Sequence, residues 1–339
     1  MERREVKPAL LLTRLLADPA RVGEVTDWTG LLCAARAESL LGSLAFRLAD
    51  APVPPQADAV LEDARRDAAY ARTQALWEAE MAQRALGDIP LILLKGTAYA
   101  AAGLPAGEGR SIGDLDILVP RAQLDEAEAA LLAAGWEWVK EDPYDHLYYR
   151  QWMHELPPLI HRERDRMIDV HHTILPPTAS PTPDAEALAA NSIALPNGMR
   201  ILCPEDMILH AVAHLFADGD LAGGLRNLWD IDRLLRHFAA SDGFWDRLRR
   251  RAVRHQLAPH LARALRLARR LYETPVDSKL AGRARTADAL YVRRLLARDG
   301  WGRERRAATR LGFYVRSHWL RMPPLMLARH LLTKVRRGH

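Results

Sequence analysis

Two carboxylates one residue apart, Asp114 and Asp116, open an apolar run that ends at Val119. In a β-strand, residues i and i+2 project from the same face, so both acids would aim into one small volume. Like charges that close raise each other's pKa until one stays protonated, unless a cation stands between them. Mg2+ meets that need, because it takes carboxylate oxygens and keeps positions for water and phosphate. Standing alone, the pair reads as a solvated turn; its surroundings change that. Upstream, the apolar run Leu91 to Leu94 ends in Lys95-Gly96-Thr97 and passes at once into an Ala-rich stretch reaching Ala102. This reads as strand, tight turn and helix. Gly96 admits a ligand close to the backbone, and the amides that open the helix face an anion such as a triphosphate. Downstream, Asp169 lies in Met167-Ile168-Asp169-Val170-His171, again on an expected strand. His171, two residues on, projects with Asp169 and is the better site candidate, while His172 is expected to pack or lie at the surface.

This ordered set resembles the nucleotidyltransferase superfamily whose fold is shared with DNA polymerase β. Members carry a Gly-Gly or Gly-Ser turn, an Asp-x-Asp or Asp-x-Glu strand, and a third acid on a later strand. Gly96-Thr97, Asp114 with Asp116, and Asp169 stand at those places. More closely, the chain is similar to the bacterial uncharacterised nucleotidyltransferase family. The matching pieces are Leu94-Lys95-Gly96, the stretch from Arg110 to Val119, Asp169-Val170-His171, and Pro204-Glu205-Asp206 through His210 and His214 to Leu225-Arg226 and Asp230. They cover the middle half of the chain. Thr97 stands where Ser or Gly is commoner, and the interval from Gly96 to Asp114 is longer than in minimal members, with a flexible glycine-rich loop from Gly103 to Gly109.

The resemblance implies an enzyme that uses Mg2+, or Mn2+ in its place, to move a nucleoside monophosphate from an NTP to an acceptor with release of pyrophosphate. Asp114, Asp116 and Asp169 would be its metal ligands and catalytic acids in a two-metal mechanism. Lys95, Gly96, Thr97, Arg110, His171 and Arg226 would contact the nucleotide. Arg110 has the alternative of pairing with Asp114, and Arg226 that of pairing with Asp230, four residues on. The acceptor is open: a small molecule, a protein or an RNA. The other reading is a non-catalytic nucleotide- or RNA-binding protein that retains the fold. His210 and His214 share a helix face at a spacing that suits zinc. No His-Glu-x-x-His arrangement accompanies them, so a cleft-lining or packing role is expected.

The elements that must position these groups follow from periodicity. Residues 8–88 read as a helical lead-in, with Leu and Ala recurring through 31–48 and 60–86. From 89 the pattern alternates: a strand at 91–95, a helix at 97–102, the Asp-x-Asp strand at 114–119 and a helix at 121–134 closed by Gly135. Strands are expected at 136–140, 147–153, 159–162 and 166–173, with an Asn197-Gly198 hairpin turn before Pro204. Thereafter the pattern is helical almost to the end, Pro204 and Glu205-Asp206 suiting a helix start. The expected fold is α+β: a polymerase β-like mixed sheet flanked by helices (89–203), an N-terminal helical region (1–88) and a C-terminal helical domain (204–339).

A chain of 339 residues, 49% hydrophobic, can bury a sizeable core. Two cysteines, Cys33 and Cys203, exclude a disulfide framework. No uninterrupted apolar run reaches the ~20 residues of a bilayer span, and the start lacks the pattern of a signal peptide. A soluble cytoplasmic protein is the expectation. The net charge of +5 is uneven, with arginines concentrated in 247–270 and 293–337. That field could attract RNA. The arginines are not interleaved with aromatics as in single-strand binders, which favours solvated helix faces.

Overall fold

The computed structural model describes residues 7–321, apart from the side chains of Tyr144, Asp145, Ala217, Asp218 and Arg321. The Arg-rich stretch that closes the chain lies in part outside these residues. The lead-in is helical: α1 (Pro8–Ala17), α2 (Trp28–Ala37), α3 (Leu41–Arg47) and the long α4 (Pro55–Leu86). Proline opens α1 and α4, where its missing N–H costs nothing. Asp27 caps α2 by accepting the Gly30 N–H at 2.9 Å.

The middle of the chain builds one sheet with helices threaded between its strands. In order come β1 (Ile92–Leu93), α5 (Lys95–Ala101), β2 (Leu115–Leu118), α6 (Leu124–Ala133), β3 (Trp136–Trp138), α7 (Pro143–Trp152), β4 (Leu159–His161) and β5 (Met167–His171). Then follow α8 (Ala185–Ala190), β6 (Ile193–Ala194) and β7 (Arg200–Ile201). The strand order is β3-β4-β5-β2-β1-β7-β6. β2 runs parallel to β5 and antiparallel to β1, so the sheet is mixed. Central β2 is buried at all four positions, as a strand covered on both faces must be. β6 and β7 form the expected Asn-Gly hairpin.

The C-terminal part is helical: α9 (Pro204–Ala213), running on into a π-turn at His214–Asp218, then α10 (Gly224–Phe238), α11 (Phe244–Arg254), α12 (Ala258–Tyr272), α13 (Ser278–Ala281), α14 (Asp288–Leu295) and α15 (Ala307–Arg321). One continuous apolar cluster runs from Leu12 and Leu44 through the sheet residues Ile117 and Val170 to Trp229 and Tyr272. Arginines of α11 and α12 meet acids: Arg247 bonds Glu205 at 2.7 Å, Arg254 bonds Asp184 at 2.9 Å and Arg266 bonds Asp288 at 2.6 Å. No helix among the described residues is long and apolar enough to cross a membrane.

The structure corrects four expectations. Residues 147–153, expected as a strand, form most of α7. Its Arg150 bonds Asp125 at 2.5 Å and also Glu128, both on α6, and this docking outweighs the strand preference of Tyr148, Tyr149 and Trp152. Asp114 lies in the bend before β2 rather than on the strand, and Lys95 is the first residue of α5 rather than the end of β1. The loop from Gly103 to Gly109 is packed. Ala106 and Gly107 are buried, and a Cβ on Gly107 would stand 3.0 Å from the backbone of Tyr99 and Ala100.

Candidate active site

The parallel pairing of β2 and β5 sets Asp116 directly beside Asp169. Asp114 turns into the same space from the bend ahead of β2, and carboxylate oxygens of the three acids lie within 4.8 Å of one another. They differ in setting. Asp116 is buried, Asp169 half-buried and Asp114 exposed, so the cluster has one side open to solvent.

Asp116 is the hub. Its Oδ1 accepts the Lys95 ammonium at 2.5 Å and lies 3.0 Å from His171 Nε2. Burial works against ionisation of Asp116, but Lys95 and His171 prevail and hold its carboxyl well below the usual range. Burial likewise opposes the charge on Lys95, and Asp116, with Asp114 and Glu155 further off, raises its pKa above the ordinary lysine value. Lys95 takes φ of 47°, a left-handed backbone rarely held by a residue with a Cβ. That geometry starts α5 directly after β1 and aims the ammonium at β2.

Asp169 stands in the opposite electrostatic situation. Burial, and then the negative charges of Glu155 and Asp116, push its pKa up to about 7. A half-buried acid crowded by like charges is what a divalent cation relieves, so these three carboxylates fit such an ion.

Around the hub lies a basic layer. A Cβ on Gly96 would stand 2.5 Å from Arg110 Nε, so the glycine makes room for that guanidinium. Arg110 pairs with Asp230 on α10 and not with Asp114. Asp230 also takes Arg226, whose Nε lies 3.0 Å from Oδ1. Two guanidinium ions thus share one carboxylate, leaving a net positive charge beside Gly96. Arg226 additionally donates to Ser43 Oγ at 2.7 Å, tying the lead-in to the site. Thr97 is buried with its hydroxyl lacking a hydrogen-bond partner. His172 is buried and packs with Nε2 3.2 Å from the Met153 carbonyl. His210 is buried in α9, and burial together with the nearby Lys95 and His171 holds its pKa well below the ordinary value.

Two residues near the cluster carried no sequence signal, His154 and Glu155. They follow α7, and Glu155 bridges His171 of β5 in antiparallel fashion. A lone His-Glu after a helix misread as a strand belongs to no spacing rule. Only the bridge shows its relevance.

A carboxylate cluster at two adjacent strands of a mixed sheet, flanked by a lysine and paired arginines, could hold a divalent ion. The chain belongs to the family of uncharacterised nucleotidyltransferases, whose model matches residues 24–273 and so takes in the whole cluster and its basic layer. This is a transferase family. No curated protein matches the chain significantly.

Proposed function

We propose that the protein transfers a nucleoside monophosphate from an NTP to an acceptor hydroxyl, with Mg2+ bound by Asp114, Asp116 and Asp169. The convergence of these three carboxylates within 4.8 Å carries the reading. The ion would neutralise phosphate charge and order the oxygens around phosphorus. The acceptor oxygen forms a bond to the α-phosphorus, the bond from that phosphorus to the bridging oxygen breaks, and pyrophosphate leaves. The acceptor proton goes to Asp169, which the β2–β5 pairing sets beside Asp116 at the reacting centre. Lys95 and His171 fix Asp116 in place, so orientation costs little when substrate arrives. Gly96, the Thr97 hydroxyl and the net charge of Arg110 and Arg226 form the bed for the triphosphate.

The test is pyrophosphate release from each NTP in a cell extract supplying acceptors, with the labelled product identified by mass. Asp114→Asn should reduce release by at least about a hundredfold while far-UV circular dichroism stays unchanged. Undiminished release by that variant would overturn the reading. Tight Mg-NTP binding with no turnover in any extract would support the non-catalytic alternative instead.

A further inference from the structure

Beside the three aspartates lies a second cluster of different chemistry. His154, Glu155 and His171 each place a ligating atom within 4.8 Å of the others. His171 Nδ1 lies 3.4 Å from Glu155 Oε2, and His154 Nε2 lies 3.7 Å from the same oxygen. The two imidazoles are tilted by 31° with centroids 5.2 Å apart. Both histidines are more than nine-tenths buried.

The hydrogen bonding of His171 is the informative part. Its Nε2 stands 3.0 Å from Asp116 Oδ1, and an ionised carboxylate only accepts. Nε2 therefore carries a proton. Nδ1, on the far side of the ring, is buried without a hydrogen-bond partner and faces the Glu155 carboxylate. A divalent ion held between that nitrogen and the carboxylate would satisfy both. Their 3.4 Å separation equals the edge of a tetrahedron whose metal–ligand bonds are about 2.0–2.1 Å. Behind it, the Asp116–His171 bond has the form of a carboxylate orienting a metal-binding histidine.

We propose that His154, Glu155 and His171 form a binding site for a borderline divalent transition ion of the Zn2+ or Co2+ class, distinct from the aspartate cluster. Two imidazoles and one carboxylate suit such ions better than Mg2+, which prefers oxygen throughout. Two histidines and a glutamate also leave a coordination position for water or a substrate oxygen. His171 would then link the two sites, ligating through Nδ1 while its Nε2–H holds Asp116. The inference does not depend on nucleotide chemistry.

The test titrates the full chain, stripped of transition metals and held in excess Mg2+ to fill the aspartates, with Co2+ and follows its visible d–d absorption, with bound metal counted by mass spectrometry. The wild type should take up one Co2+ with the spectrum of a four- or five-coordinate nitrogen–oxygen site. His154→Gln and Glu155→Gln should each weaken that binding by at least about tenfold, with far-UV circular dichroism unchanged. Asp114→Asn, which disables only the aspartate cluster, should leave it intact. An octahedral spectrum, no uptake, or wild-type affinity in either glutamine variant would overturn the proposal. So would loss of Co2+ in Asp114→Asn alone, which assigns the ion to the aspartates. Failure of nucleotidyl transfer with Co2+ binding intact would count against the function above and not against this site.

Discussion

At the scale of single residues, the aspartates are unequal in what they do for stability. Asp114 is exposed, and Asn in its place should leave the unfolding free energy within about 0.5 kcal/mol of wild type. Asp116 is buried against Lys95, whose side chain is 23% exposed. Asn there strands an ammonium that only partly reaches water, and denaturant titration should show a loss on the order of 1–3 kcal/mol. If both variants destabilise alike, the hub role of Asp116 is wrong. That Asp114, Asp116 and Asp169 lie together was legible from residue type and order, although Asp114 arrives from the bend ahead of β2 and not by strand alternation. The partner of Arg110 was not, because Asp230 lies 120 residues away and spacing carries no record of such contacts. Asp114 had been the nearer candidate.

Among elements, the close approach of α3 to the loop after α5 decides how the basic layer is held. A Cβ on Gly42 would run into the Gly109 carbonyl, and one on Gly109 would stand 2.5 Å from Gly42 backbone. Neither side can yield by rotating a side chain. Ser43, next in α3, donates to the Glu108 carbonyl at 3.1 Å and accepts from Arg226. Gly42→Ala should therefore cost about 1–3 kcal/mol and weaken nucleotide binding together with stability, both read by thermal shift with and without Mg-NTP. The strand–turn–helix run at 91–102, the β6–β7 hairpin and the helix after Pro204 could be read from pattern and punctuation. Helix α7 could not. Its aromatic residues favour strand locally, and the ion pairs of Arg150 with α6 that settle the matter are tertiary.

For the molecule as a whole, histidines held neutral by burial contribute to the acid limit, the buried His172 and half-buried His260 among them. Burial, with Arg121 nearby, lowers the His172 pKa from 6.5 to about 4. Burial, with Arg263 and Arg316 adding to it, brings His260 from 6.5 to about 4. Both are neutral in the fold but take up protons near 6.5 once unfolded. Their contribution is thus complete above 6.5 and is lost as pH falls towards about 4. Urea midpoints should decline across that window, and His260→Gln should flatten the decline. An unchanged slope in that variant would remove His260 from the account. Sequence alone offered the mixed sheet and its helical flanks. It gave no sign that a single apolar cluster joins all three segments, since that continuity arises from which helix faces meet.

The left-handed start of α5 has one more consequence. By steering the ε-ammonium of Lys95 onto Asp116, the chain supplies a built-in counter-ion where an inorganic one is otherwise needed. The contact of α5 with β2 therefore forms without metal. Removing Mg2+ alone should silence the proposed transfer reversibly and leave the melting profile nearly untouched.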